Sequence, residues 1–128
     1  RPHPSWLPQL PAPYLPVSDP ELIERIAGDD MVRGITCTCG GFYGPQGRCL
    51  RIPLADPELN SKIESFEYQG LRVTNFEMES SALAGLSSLL GHKAMTCCMV
   101  LANRRTHNMK TSYKNDINTL ILTVLERI

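Results

Sequence analysis

The sequence predicts an α/β fold, in which strands alternate with helices. Three observations lead there. The tetrapeptide Asp-Pro-Glu-Leu, at 19–22 and again at 56–59, sets a capping Asp and a first-turn Pro at two helix starts. β-prone runs at 35–39, 49–54 and 71–76 lie between and after those helices. The run 94–102, Ala-Met-Thr-Cys-Cys-Met-Val-Leu-Ala, is apolar almost throughout, as in a strand covered on both faces.

Seven of the ten prolines, at positions 2, 4, 8, 11, 13, 16 and 20, repeatedly fix φ and remove backbone donors. Residues 1–18 are therefore expected to be an extended connecting segment pinned by Trp6, Leu10 and Tyr14, with binding to a proline-recognising module as the alternative. The domain proper is expected at 19–128. Its first helix runs through Leu22, Ile23 and Ile26 and stops near Gly28. The strand 35–39 ends at Gly40-Gly41, and the loop 41–48 is held between it and the strand 49–54. A second helix carries Leu59, Ile63 and Phe66 on one face and stops before Gly70. The two Asp-Pro-Glu-Leu segments are not a repeat, because their flanks differ.

After Gly70 the strand 71–76 leads into a helix over 80–90, with Ala82, Leu83, Leu86, Leu89 and Leu90 directed inward and Gly91 as its stop. The run 94–102 should be a central strand. Tyr113, Ile117, Leu120, Ile121, Val124, Leu125 and Ile128 then recur at helical spacing, which predicts a terminal helix packed on the sheet.

With 128 residues, 42% hydrophobic and 20% charged, the chain suits one globular domain with room for a single core. Thirteen basic side chains balance thirteen acidic ones, and the one basic run is Arg104, Arg105, His107, Lys110 and Lys114. That balance argues against nucleic acid or an anionic membrane as a partner. No apolar stretch approaches the roughly 18 residues of a membrane helix, and the proline-rich start lacks a signal peptide's apolar centre. The five cysteines, Cys37, Cys39, Cys49, Cys97 and Cys98, are odd in number and contain no C-x-x-C spacing. They read as reduced, buried thiols of a cytoplasmic protein. His3, His92 and His107 lie far from them in sequence, so no metal site is expected. The chain opens at Arg1 and not at a methionine, which reads as a fragment or a processed product.

Ligands of α/β sheets sit where strands give way to loops. Three polar clusters fall there: Phe42-Tyr43-Gly44-Pro45-Gln46-Gly47-Arg48, then Phe76-Glu77-Met78-Glu79-Ser80, then Asn103-Arg104. The first combines an aromatic ring for stacking, an amide that both donates and accepts, and a planar cation. A pyrimidine base needs all three, because its carbonyl oxygens accept while its N3–H donates. The alternative is a Gly/Pro turn carrying solvated Gln and Arg. In the second cluster, Glu77 and Glu79 stand one residue apart before a helix, where a carboxylate can accept both hydroxyls of a ribose. Capping of the helix by Glu79 or Ser80 is the alternative. A glycosidase pair is disfavoured, since no second isolated acid stands out as proton donor.

Taken together in this order and spacing, F-Y-x-x-Q-x-R, E-M-E-S and N-R resemble the C-terminal half of uridine phosphorylases of the nucleoside phosphorylase family, from about Gly41 to Ile128 and more loosely before it. The resemblance implies a three-layer fold, a mixed sheet flanked by helices, incomplete at its N-terminal side. It implies phosphorolysis of a pyrimidine nucleoside to free base and ribose 1-phosphate, with inorganic phosphate as co-substrate, no cofactor, and homo-oligomeric assembly when full length. On this resemblance, Phe42 and Tyr43 line the nucleoside, Gln46 and Arg48 hold the uracil edge, and Met78 packs on the ribose. Glu79 binds the 2′ and 3′ hydroxyls with Glu77 beside it, and Arg104 adds to the substrate site. Purine-specific relatives are implied to carry a catalytic Asp after the late strand, where this chain has Asn103-Arg104.

The implied catalysis follows from charge. As the glycosidic bond breaks, the sugar gains positive character and the base becomes anionic, so Arg48 and Gln46 stabilise the leaving group while Glu79 orients the ribose. Family members are about twice this length and carry a Gly-Asp-Pro phosphate motif in their N-terminal half, which nothing in residues 1–40 matches. Two rivals follow: a non-catalytic nucleoside-binding or assembly fragment, and a hydrolytic nucleosidase that uses water in place of phosphate.

Overall fold

The structure is a computed structural model that describes residues 12–128. Most of the expected connecting segment, and with it Trp6 and Leu10, lies outside the described residues. The first helix, α1 (Pro20–Ile26), begins as the sequence predicts: Asp19 Oδ1 accepts from the Leu22 amide at 3.0 Å, with Pro20 in the first turn. Strand β1 (Ile35–Thr38) and strand β3 (Leu71–Glu77) are parallel, and β2 (Glu67–Tyr68) lies antiparallel on the other side of β3. The result is a mixed sheet with β3 in the centre, flanked by helices, as expected of the fold class.

The second helix, α2 (Leu59–Ser65), is shorter than its apolar pattern suggested at both ends. Asp56 Oδ1 accepts from the Glu58 amide within a preceding turn, so the helix starts two residues after Pro57. It stops at Ser65 because Gln69 and Gly70, at φ 52° and 77°, form a two-residue reversal that pulls Glu67 and Tyr68 into a hairpin with β3. The positive φ at both positions is the backbone handedness that fits the strand twist.

Two expected strands are corrected. The segment 49–54 is irregular and not a strand. Only Ala102 of the run 94–102 enters a ladder, in the short hairpin β4 (Ala102–Asn103) with β5 (Asn108–Met109). The rest of that run passes β1 and β3 closely enough for Cys98 to reach Thr36 and Asn75, but finds no strand partner among the described residues. Apolar content records what a segment packs against, whereas a strand exists only by pairing.

Helix α3 (Ser80–Leu90) has the predicted length and ends on Gly91 at φ 74°, but the reverse face turns inward. Leu83, Leu86, Leu89 and Leu90 are exposed, while Ser81, Ala84, Gly85 and Ser87 face the protein. The small residues allow close approach: a Cβ at Gly85 would meet the Tyr14 ring at 3.4 Å, and the Tyr14 hydroxyl donates to Ser81 Oγ. The terminal helix, α4 (Lys114–Arg127), half-buries Ile117, Leu120 and Val124 and leaves Tyr113, Ile121, Leu125 and Ile128 exposed. Arg127 ties it to α1 by donating to the Ile26 carbonyl at 2.8 Å and forking onto both oxygens of Asp30.

Ile26 is the one hydrophobic side chain fully buried among the described residues, so the core is much thinner than the composition allows. The cysteines likewise are not buried: Cys37, Cys39 and Cys97 are half-buried, Cys49 and Cys98 exposed, and none is paired in a disulfide. No helix of the described residues is long and apolar enough to cross a membrane.

Candidate active site

The ends of β1 and β3 bring the three polar clusters together. After Cys39 the chain turns through a single 3-10 turn, Gly44–Gln46, closed by Gly47 at φ 71°, where a side chain would be strained and would also collide with Asn60. Asn60 on α2 holds this turn from below by donating Nδ2 to the Gly47 carbonyl at 3.2 Å. Gln46 is thereby placed 97% inside the protein, with relative exposure of 3%.

Two arginines converge on Gln46. Arg48 Nη1 donates to its Oε1 at 2.8 Å and also to the Phe42 carbonyl. Arg104, from the β4–β5 hairpin, donates Nη2 to the same Oε1 and Nη1 to the Gln46 backbone carbonyl. Because both guanidinium groups are donors only, Oε1 must face them, and the amide orientation is decided: Nε2 remains as a donor for something else. Each cation also lies on a ring, Arg48 at 3.7 Å from the centre of Phe42 and Arg104 at 4.2 Å from that of Phe76. Burial and the nearby Arg48 charge both press the Arg104 pKa below the ordinary arginine value, yet a guanidinium stays cationic. Phe42 and Tyr43 meet edge to face at 5.3 Å and keep about half of their surface open.

On the other face of the sheet, Glu77 ends β3 opposite Thr38 of β1. Its Oε1 accepts from the Thr38 hydroxyl, and its Oε2 accepts from the amides of Glu79 and Ser80 at 2.8 and 2.6 Å. Burial opposes its ionisation, but these donors outweigh it and hold the carboxyl below the usual glutamate value. Glu77 therefore caps α3. Glu79 occupies the cap position but makes no capping bond, and its side chain is exposed, as is Met78 beside it. The two carboxylates thus divide their roles: Glu77 orients the loop and Glu79 is left available to a ligand.

A model of the phosphorylase superfamily matches residues 2–124, nearly the whole chain. The chain belongs to the phosphorylase superfamily. The uridine phosphorylase of Thermococcus kodakarensis is 39% identical over 80 residues, which are 58% of this chain and 26% of that protein. The crystal structure of a Trypanosoma brucei nucleoside phosphorylase that shows uridine phosphorylase activity superposes with a TM-score of 0.74 at 29% identity. That superposition covers 86% of this chain and 41% of the trypanosomal one, so the chain spans well under half the length of the superfamily members it matches.

All eight residues singled out from the sequence stand at the carboxyl ends of β1 and β3 or on the hairpin that meets them. Phe42, Tyr43, Gln46, Arg48 and Arg104 form one connected group, and Glu77, Met78 and Glu79 line the adjoining turn. Thr38 and Asn60 were not legible as site residues. Thr38 matters because the β1–β3 register sets it opposite Glu77, and Asn60 because α2 packs under the 3-10 turn. Among the described residues no group of three or more His, Cys, Asp or Glu side chains could hold a metal ion.

Proposed function

We propose that this chain carries the base- and ribose-binding part of an enzyme that phosphorolyses uridine to uracil and ribose 1-phosphate. The observation that carries the reading is the fixed Gln46 amide, held by two arginines beside an open aromatic ring. Its free Nε2–H₂ donates to a carbonyl oxygen of the base, and Arg48 meets the negative charge that develops on the base as the glycosidic bond breaks. The donors are aimed before the substrate arrives, so little reorganisation is needed during the reaction. Phe42 and Tyr43 contact the nucleoside, Met78 packs on the sugar, and Glu79 accepts from the 2′ and 3′ hydroxyls. Phosphate is the nucleophile, so no activated protein nucleophile is needed. Asn103 in place of an acid favours a pyrimidine over a purine. The unpaired cysteines support a reducing, cytoplasmic setting, and a homo-oligomer is the proposed state of the complete enzyme.

Uracil release from uridine, assayed with and without phosphate, separates phosphorolysis from hydrolysis. The 128-residue chain alone should show negligible release, since no Gly-Asp-Pro motif supplies a phosphate site. A fusion to the phosphate-binding half of another superfamily member should release uracil only when phosphate is present. Release by the fusion without phosphate would favour the nucleosidase reading, and phosphate-dependent turnover by the chain alone near 1 per second would overturn the assignment of the phosphate site elsewhere.

A further inference from the structure

A second group of reactive side chains lies on the sheet face that carries Phe76. Cys37 of β1 is the register partner of Phe76, over whose ring Arg104 is stacked. Cys39, two residues on, shares that face, and the two Sγ atoms are 3.7 Å apart. Both thiols are half-buried, so they remain within reach of a small solute. Thr38 between them points to the opposite face, where it serves Glu77.

We propose that Cys37 and Cys39 form a dithiol modification site that a hydroperoxide converts to a disulfide. Two residues along an extended chain span about 6.6 Å between Cα atoms, just inside the range a disulfide accepts. The sulfurs must close from 3.7 Å to about 2.05 Å. Gly40 and Gly41 follow directly, and a Cβ at Gly40 would meet nothing within 4 Å, so the chain after Cys39 is free to adjust.

The charges favour Cys39 as the attacking group. A hydrogen bond from the Cys37 thiol brings the Cys39 thiol down to about 7, helped by Arg104 and opposed by burial and by Glu77. The same sharing, with burial and Glu77, pushes Cys37 up, so the proton between the two sulfurs stays on Cys37. Cys39 Sγ attacks one peroxide oxygen, the O–O bond breaks, and an alcohol or water leaves after taking a proton from solvent. The resulting sulfenic acid on Cys39 is attacked by Cys37 Sγ. The S–O bond breaks as S–S forms, and the Cys37 proton departs with the hydroxyl as water. Two thiols lose two electrons, and one hydroperoxide becomes an alcohol and water.

Trypsin separates the cysteines cleanly: Cys37 and Cys39 share the peptide 34–48, Cys49 falls in 49–51, and Cys97 and Cys98 fall in 94–104. The 128-residue chain is treated with an equivalent of hydrogen peroxide, alkylated, digested and weighed. The expected result is a 34–48 peptide two hydrogens lighter, resistant to alkylation and restored by a dithiol reductant, before the exposed Cys49 or Cys98 is consumed. In Cys37→Ser the same peptide should instead carry a sulfenic acid trapped by dimedone. Full alkylation of 34–48 while Cys49 or Cys98 oxidises overturns the proposal, and so does sulfinic acid on Cys39 without the internal bond. The unsubstituted chain decides the question even if the serine variant fails to fold.

Discussion

Replacing Arg48 by Ala separates a chemical role from a structural one. In the folded protein Arg48 Nη1 shares two acceptors, Gln46 Oε1 at 2.8 Å and the Phe42 carbonyl, and its guanidinium covers Phe42 at 3.7 Å. When the side chain is removed, Gln46 Oε1 keeps Arg104 as a donor, and the Phe42 carbonyl is open to water, so no buried acceptor is orphaned. The cost to stability should therefore be that of a single net hydrogen bond, about 1 kcal/mol. On the proposed function the cost to catalysis should be larger, because a preformed positive charge would be lost opposite the departing base: about 2–4 kcal/mol, or roughly 30- to 1,000-fold in kcat/KM. Steady-state phosphorolysis of uridine by the completed fusion, with circular dichroism to verify folding, measures both effects. A folded Arg48→Ala protein retaining activity within about threefold of its parent would show that Arg48 does not face the leaving group.

Three further outcomes follow from the same geometry. Arg104→Ala removes the side-chain donor to the buried Gln46 backbone carbonyl and one of the two donors to its Oε1, so it should destabilise more than Arg48→Ala, by about 1–3 kcal/mol in urea unfolding; equal losses would contradict the packing. Glu79→Gln keeps the shape but removes the charged acceptor, so kcat/KM for uridine should fall more than for 2′-deoxyuridine; an equal loss on both substrates would argue against ribose binding. Glu77 is held below the usual glutamate value, so its folded state binds a proton less tightly than the unfolded chain does. That contribution to stability is complete above the unfolded value of about 4.3 and is lost as pH falls through the folded value. The urea midpoint of the parent should consequently drop more steeply below about pH 4 than that of Glu77→Gln, and parallel profiles would refute the capping assignment.

Local chemistry was readable from the residues alone wherever it acts over a few positions. Asp19 before Pro20, Gly91 after Leu90, and the β-prone runs flanked by glycines each act within a turn or a strand, and the structure has α1, α3, β1 and β3 where these signals stand. The grouping of Phe42, Gln46 and Arg48 was legible for the same reason, since one loop carries them. What only the tertiary structure decided are matters of pairing and facing. Apart from Ala102, the apolar run 94–102 lacks a ladder among the described residues, because a strand needs a neighbour that its own sequence does not specify. The leucines of α3 point outward because periodicity marks a stripe but not the side on which the sheet lies, and small residues permit the closer approach. Capping fell to Glu77 and not to Glu79 because the parallel register set Thr38 against it, 39 residues away in sequence. Arg104 reached Gln46 across 58 residues for the same kind of reason: side chains distant in the chain meet only where the backbone brings their elements together.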